Sequence, residues 1–156
     1  MVVYFLRHAE AEPDAGTDFD RKLTTKGLEQ AEKMAKFILR NGLQPEIILS
    51  SPVVRARQTA KIVSQKLGDS DLAVEGWLAC GMTPESCLEE LRAYEQKASV
   101  MVVGHEPDFS GAIAQLLGLA NPEAINVRKA SLTAIEIETL QPGRGRLEFF
   151  TPVRIV

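Results

Sequence analysis

The sequence is most informative where it is poor. In 156 residues there are only two histidines, His8 and His105, and only two cysteines, Cys80 and Cys87. No Cys-x-x-Cys or His-x-x-x-His pair occurs, so no zinc signature is written, and neither a metal nor a cofactor is expected. Basic charge is also short. Lys and Arg number 18 against 21 Asp and Glu, a net charge of −3 that argues against binding nucleic acid through its phosphates. Long apolar runs are missing, so no membrane partner is expected. The segment Met1 to Arg7 has neither a basic region nor a long apolar stretch and does not read as a secretory leader. The expected location is the cytoplasm, with reduced cysteines. Internal repeats, low-complexity tracts and a glycine-rich phosphate loop are absent as well, which disfavours a nucleoside-triphosphate cradle. The length suits a single domain over residues 1–156.

What is there alternates between short apolar runs and helical stripes. Residues 2–6, 46–49 and 99–103 read as buried strands, and 72–74 as a short one. Residues 25–41 place Leu28, Ala31, Met34, Ala35, Ile38 and Leu39 on one helical face, stopped by Asn41-Gly42. Ser51-Pro52 reads as a cap followed by proline at the first helical position, with Ala56, Ala60, Val63 and Leu67 as the stripe. Thr83-Pro84 repeats that signal before Cys87, Leu88, Leu91 and Tyr94. A further helix runs from Pro107 to Leu117. After Asn121-Pro122 the period becomes two, and residues 133–139 and 146–150 predict an antiparallel hairpin. Strands separated by helices predict an α/β fold: a three-layer α/β/α sandwich with a mainly parallel sheet and a C-terminal antiparallel hairpin.

Ligands of such sheets bind beyond the carboxyl ends of the strands. After residues 2–6 come Arg7 and His8, after 46–49 come Ser51 and then Arg55, and after 99–103 comes His105. Both histidines therefore follow buried strands. The helix start at Ser51 is expected to add free N–H groups and the positive end of a dipole. Two arginines and two imidazoles suit a tetrahedral dianion, since arginine grips phosphate bidentately and keeps its proton. A neutral imidazole can attack phosphorus and carry the phosphoryl group. Arg57, two positions beyond Arg55 on the helix, must face elsewhere.

Leu6-Arg7-His8-Ala9, Leu23-Thr-Thr-Lys-Gly27, the run from Ser50 to Thr59 (S-S-P-V-V-R-A-R-Q-T) and Val103-Gly-His105 stand in that order. Together they resemble the motifs of the histidine phosphatase superfamily, the phosphoglycerate-mutase-like enzymes. The short length and the run Asp20-Arg-Lys-Leu-Thr24 are most similar to the SixA-type phosphohistidine phosphatases. The resemblance implies that His8 is the nucleophile, that Arg7 and Arg55 bind phosphoryl oxygens, and that His105 hydrogen-bonds the same group. It also points to Arg21 as a phosphate-contacting residue, with Ser51 and Ser131 as further substrate-binding candidates.

Larger members of the family carry a carboxylic acid that protonates the leaving oxygen. Here Glu75 and Glu106 are the candidates, and neither stands at the family's spacing. An alkoxide needs such an acid, whereas a phosphoimidazole can leave as neutral imidazole. The short chain also leaves little room for a lid. Both points favour protein phosphohistidine as substrate, and the SixA resemblance implies a histidine-containing phosphotransfer domain as its carrier. A phosphatase for a small phosphorylated substrate such as a sugar phosphate, and a non-catalytic phosphate-binding regulatory module, remain as alternatives. Oligomeric state is not written in the sequence.

Overall fold

The computed structural model describes residues 1–14 and 16–156. One sheet of six strands runs through it in the order β3-β2-β4-β1-β5-β6. The strands are β1 (Val2–Arg7), β2 (Ile47–Ser50), β3 (Leu72–Val74), β4 (Ser99–Gly104), β5 (Leu132–Ile137) and β6 (Gly145–Thr151). The first four are mutually parallel, β5 adds antiparallel to β1, and β6 adds antiparallel to β5. Helices α1 (Thr25–Arg40), α2 (Val54–Lys66), α3 (Pro84–Leu91) and α4 (Asp108–Leu117) complete three layers. This is the predicted sandwich with its terminal hairpin.

The central strands are apolar on both faces because both faces are covered. Val3 and Phe5 of β1 pack with α3 and α4, and Tyr4 and Leu6 pack with α1 and α2. The same division splits Val100 and Val102 of β4 from Met101 and Val103. Under the end of β4, Phe109 meets Phe5 edge to face with ring centroids 5.3 Å apart. A Cβ on Gly104 would fall 2.7 Å from the Phe109 ring, so only glycine fits directly before His105.

Two expectations about helices need correction. Leu28 and Leu39 do not face the core of α1. They are 42% and 43% exposed, while Gly27, Ala31, Met34, Ala35 and Ile38 are buried. The helix lies so close to the chain leaving β1 that a Cβ on Gly27 would meet the Glu10 carbonyl oxygen. A glycine thus holds a core position that a count of large apolar side chains passes over. Second, Ser51 does not cap α2. That helix starts at Val54, behind an extended Val53 with no side-chain cap. Thr83 does cap α3, in a reciprocal box with Ser86. No helix among the described residues is long and apolar enough to cross a membrane.

Candidate active site

Neighbouring strand ends are joined by hydrogen bonds. The His8 N–H donates to the Gly104 carbonyl at 3.0 Å, and the Ser51 N–H donates to the Val103 carbonyl at 2.9 Å. The residues following β1, β2 and β4 are thereby brought to one sheet edge.

His8 is 5% exposed. Its Nδ1 lies 2.7 Å from the Ala9 carbonyl oxygen, which can only accept, so Nδ1 carries the proton and Nε2 presents a lone pair. Arg55 Nε–H donates to that Nε2 at 3.2 Å. Thr59 secures both partners. Its hydroxyl accepts from the Ala9 N–H at 3.2 Å and donates to the Arg55 carbonyl at 2.8 Å. Gln58, beside it, accepts from the Leu23 N–H at 2.8 Å, and Thr24 caps α1 through the Gly27 N–H. Within the Leu23–Gly27 and Ser50–Thr59 motifs, Thr24, Gln58 and Thr59 thus hold the backbone around His8 in place. The motifs contained Gln58 and Thr59, but residue type alone gave them no role.

The His105 ring lies 5.2 Å from that of His8, inclined at 54°. Its Nε2 is 2.7 Å from Ser51 Oγ. That hydroxyl also accepts from the Val53 N–H at 3.3 Å and has no other acceptor for its proton among the described residues, so it donates to the imidazole. His105 then keeps its proton on Nδ1. This Nδ1 and Arg7 Nε are both buried without a hydrogen-bond partner among the described residues, two donors left unused beside His8. Ser51 therefore orients an imidazole instead of capping a helix. The free N–H groups expected at that helix start are in part used, since Val53 donates to Ser51 Oγ and Val54 donates to the Phe19 carbonyl.

Both histidines are held neutral. His8 is pushed down to about 3, mainly by burial, with His105, Arg55 and Arg7 adding repulsion against the bond to Ala9. His105 is pushed down to about 4, again first by burial and then by Arg55. Arg7 donates through Nη1 to the Val127 carbonyl at 2.8 Å, and its N–H donates to the Ser131 carbonyl. The turn before β5 clamps it further, with the Ala130 N–H against the carbonyls of Arg7 and His8. Ala130 adopts a left-handed φ of 55° to do so.

Arg55 is 5% exposed, and Arg57 is exposed, as the helical spacing requires. The Arg55 guanidinium reaches a residue that the sequence did not single out. Nη1 donates to the Asp18 carbonyl at 2.7 Å, Nη2 to its carboxylate at 3.0 Å, and Nη2 also lies 3.6 Å from Cys80 Sγ. The other Asp18 oxygen takes Arg21 Nη1 at 2.8 Å. Burial raises the Asp18 carboxyl, but the two arginines outweigh it and hold it below its ordinary value. Asp18 is thus an intramolecular anion on the Arg55 guanidinium, and Arg21 joins the cluster through it.

The remaining candidates divide. The Ser131 hydroxyl donates to the Arg128 carbonyl at 2.6 Å, so this residue supports Arg7 through its backbone. The Glu75 carboxylate takes the Tyr94 hydroxyl at 2.8 Å and makes no hydrogen bond or ion pair to the clustered side chains. Glu106 is closer. It accepts from the Ser110 N–H at 2.9 Å, and burial raises its carboxyl despite the pull of Ser110 and Arg7. Among the described residues no group of three or more His, Cys, Asp or Glu is placed to hold a metal ion.

Comparison with known proteins agrees with this geometry. The family model of the histidine phosphatase superfamily (branch 1) matches residues 3–79. The phosphohistidine phosphatase SixA of Escherichia coli K12 is 32% identical over 122 residues, 74% of each chain. The SixA homolog of Haemophilus influenzae is 32% identical over 135 residues, 78% of this chain and 80% of its own. A SixA structure solved with tungstate superposes with a TM-score of 0.90, at 26% identity and 99% coverage of both chains. With these matches and its paired histidines at one sheet edge, the chain belongs to the histidine phosphatase superfamily.

Proposed function

We propose that the protein is a phosphatase that removes phosphoryl groups from protein phosphohistidine through a covalent intermediate on His8. The observation that carries this reading is the unprotonated Nε2 of a neutral, buried His8, which accepts from Arg55 Nε–H and faces His105. In the first step Nε2 attacks phosphorus, and the bond from phosphorus to the substrate's ring nitrogen breaks. Arg7, Arg55 and the His105 Nδ1–H stabilise the equatorial oxygens. The departing imidazole, protonated on its other nitrogen, leaves neutral and takes no proton from the enzyme. In the second step water attacks the phosphorus on His8, giving inorganic phosphate and restoring the imidazole. Arg55 exchanges the Asp18 carboxylate for phosphoryl oxygens in this scheme.

The substrate assignment rests on the leaving group. Glu75 is committed to Tyr94, so this carboxyl is no donor to an alkoxide. The similarity to proteins named phosphohistidine phosphatase supports the same reading. Turnover of a phosphorylated phosphotransfer domain, compared with a panel of small phosphoesters, tests it. The domain should be the preferred substrate by kcat/KM, and a sugar phosphate turned over faster would overturn the assignment. One observation favours the second reading. The raised carboxyl of Glu106 is suited to donating a proton to an ester oxygen. If esters are the substrates, Glu106→Gln lowers their turnover about a hundredfold. If phosphohistidine is, the same variant leaves the phosphoryl-transfer step nearly unchanged.

A further inference from the structure

Beside the histidine pocket lies a second feature that the chemistry does not use. A cleft of about 470 Å³ opens between the turn before β5, the first turn of α1 and the C-terminal residues after β6. Arg7, Lys26, Arg128, Lys129 and Arg154 line it, over a floor that includes Val153, and no lining residue is acidic. These cations come from four separate stretches of a chain whose net charge is −3, so the concentration is local. Among the described residues Lys26 alone of these cations forms an ion pair, with Glu10 at 3.0 Å. Among the described residues no carboxylate lies within ion-pair distance of Arg128, Lys129 or Arg154. Arg7 belongs to both places. It stands beside the imidazoles and forms one wall of the cleft.

We infer that this cleft is a docking surface for acidic side chains that flank the phosphohistidine on the substrate protein. The inference rests on the phosphohistidine reading and adds where the rest of the substrate lies. A phosphoryl group held by Arg7 sits at one end of the cleft. The substrate chain leading away from it crosses Lys129, Arg128 and Arg154. Exposed cations of this kind act mainly on encounter and on selection between partners, and salt screens them. The acidic residues should therefore raise kcat/KM far more than kcat.

The test uses three probes: a phosphohistidine peptide with glutamates on both sides, its counterpart with glutamines, and inorganic phosphoramidate. The wild-type protein should prefer the glutamate peptide about tenfold in kcat/KM, and the preference should fade as salt rises. The double variant Arg128→Glu, Arg154→Glu should erase or invert that preference, and a lysine-flanked peptide should become its better substrate. Phosphoramidate turnover should stay the same, which also shows that the variant is folded. Equal use of the two peptides by the wild type, or a preference that survives in the variant, overturns the docking surface alone. Turnover of phosphoramidate with neither peptide used overturns both the docking surface and the phosphohistidine reading.

Discussion

The pocket and the cleft meet at Arg7 but are built on opposite principles. In the pocket, His8, Arg55 and His105 are nearly buried, and hydrogen bonds hold each in one orientation. Burial there has a chemical consequence, since it keeps the imidazoles neutral and Nε2 of His8 unprotonated, as the proposed attack on phosphorus requires. In the cleft, Arg128 and Arg154 are exposed and unpaired among the described residues. Water screens them, and no single one fixes a geometry. Under the proposed function, one arginine-rich edge divides its tasks, with enclosed groups setting the reaction and open ones selecting what arrives.

That division can be broken by substitution. The largest effect is expected in the pocket. Arg55→Ala should lower turnover of every substrate about a thousandfold, phosphoramidate included, measured by phosphate release. Ser51→Ala should cost about tenfold to a hundredfold by releasing His105, on the scale of other groups that orient a site imidazole. Ser51→Thr should recover most of it. The cleft variants come next, with about a tenfold effect confined to acidic substrates. If they slowed phosphoramidate as well, pocket and cleft would not be separate.

The smallest effect on the reacting group is expected from mild acid. His8 is held at about 3 and His105 at about 4, against 6.5 for an ordinary histidine. Ring nitrogen shifts should show His8 neutral from about pH 7 to about pH 5, and a midpoint near 6.5 would contradict the buried pocket. Stability behaves otherwise. In that range the unfolded chain binds protons that the folded one refuses. The two histidines thus favour the native state less as pH falls from about 6.5 towards their folded values. The melting temperature should drop across that range, and should drop less in a variant with His105 replaced by Gln.

The sequence carried the fold well wherever burial was complete. β1, β2 and β4 are apolar on both faces, and such runs read as strands without reference to partners. It carried the meeting of His8 and His105 for the same reason, because the residues after those strands share one edge whatever the loops do. The errors fell where an apolar pattern was not what decided packing. Leu28 and Leu39 sit one residue off the buried stripe of α1, whose tightest contact is made by Gly27. Ser51-Pro52 had the form of a cap, but the serine is held by His105 and the helix begins later. Asp18 was invisible because it reaches Arg55 only through the return of a loop. The cleft was invisible because Lys26, Lys129 and Arg154 are brought together by the sheet and not by spacing in the chain.

The central claim is that His8 carries the phosphoryl group. The most direct measurement mixes the protein with a radiolabelled phosphohistidine protein, quenches within one turnover and maps the label. Label is expected on His8, lost in acid and kept in alkali, with neither label nor turnover in His8→Ala. Label on another residue, or an unlabelled protein that still releases phosphate after His8→Ala, would contradict it.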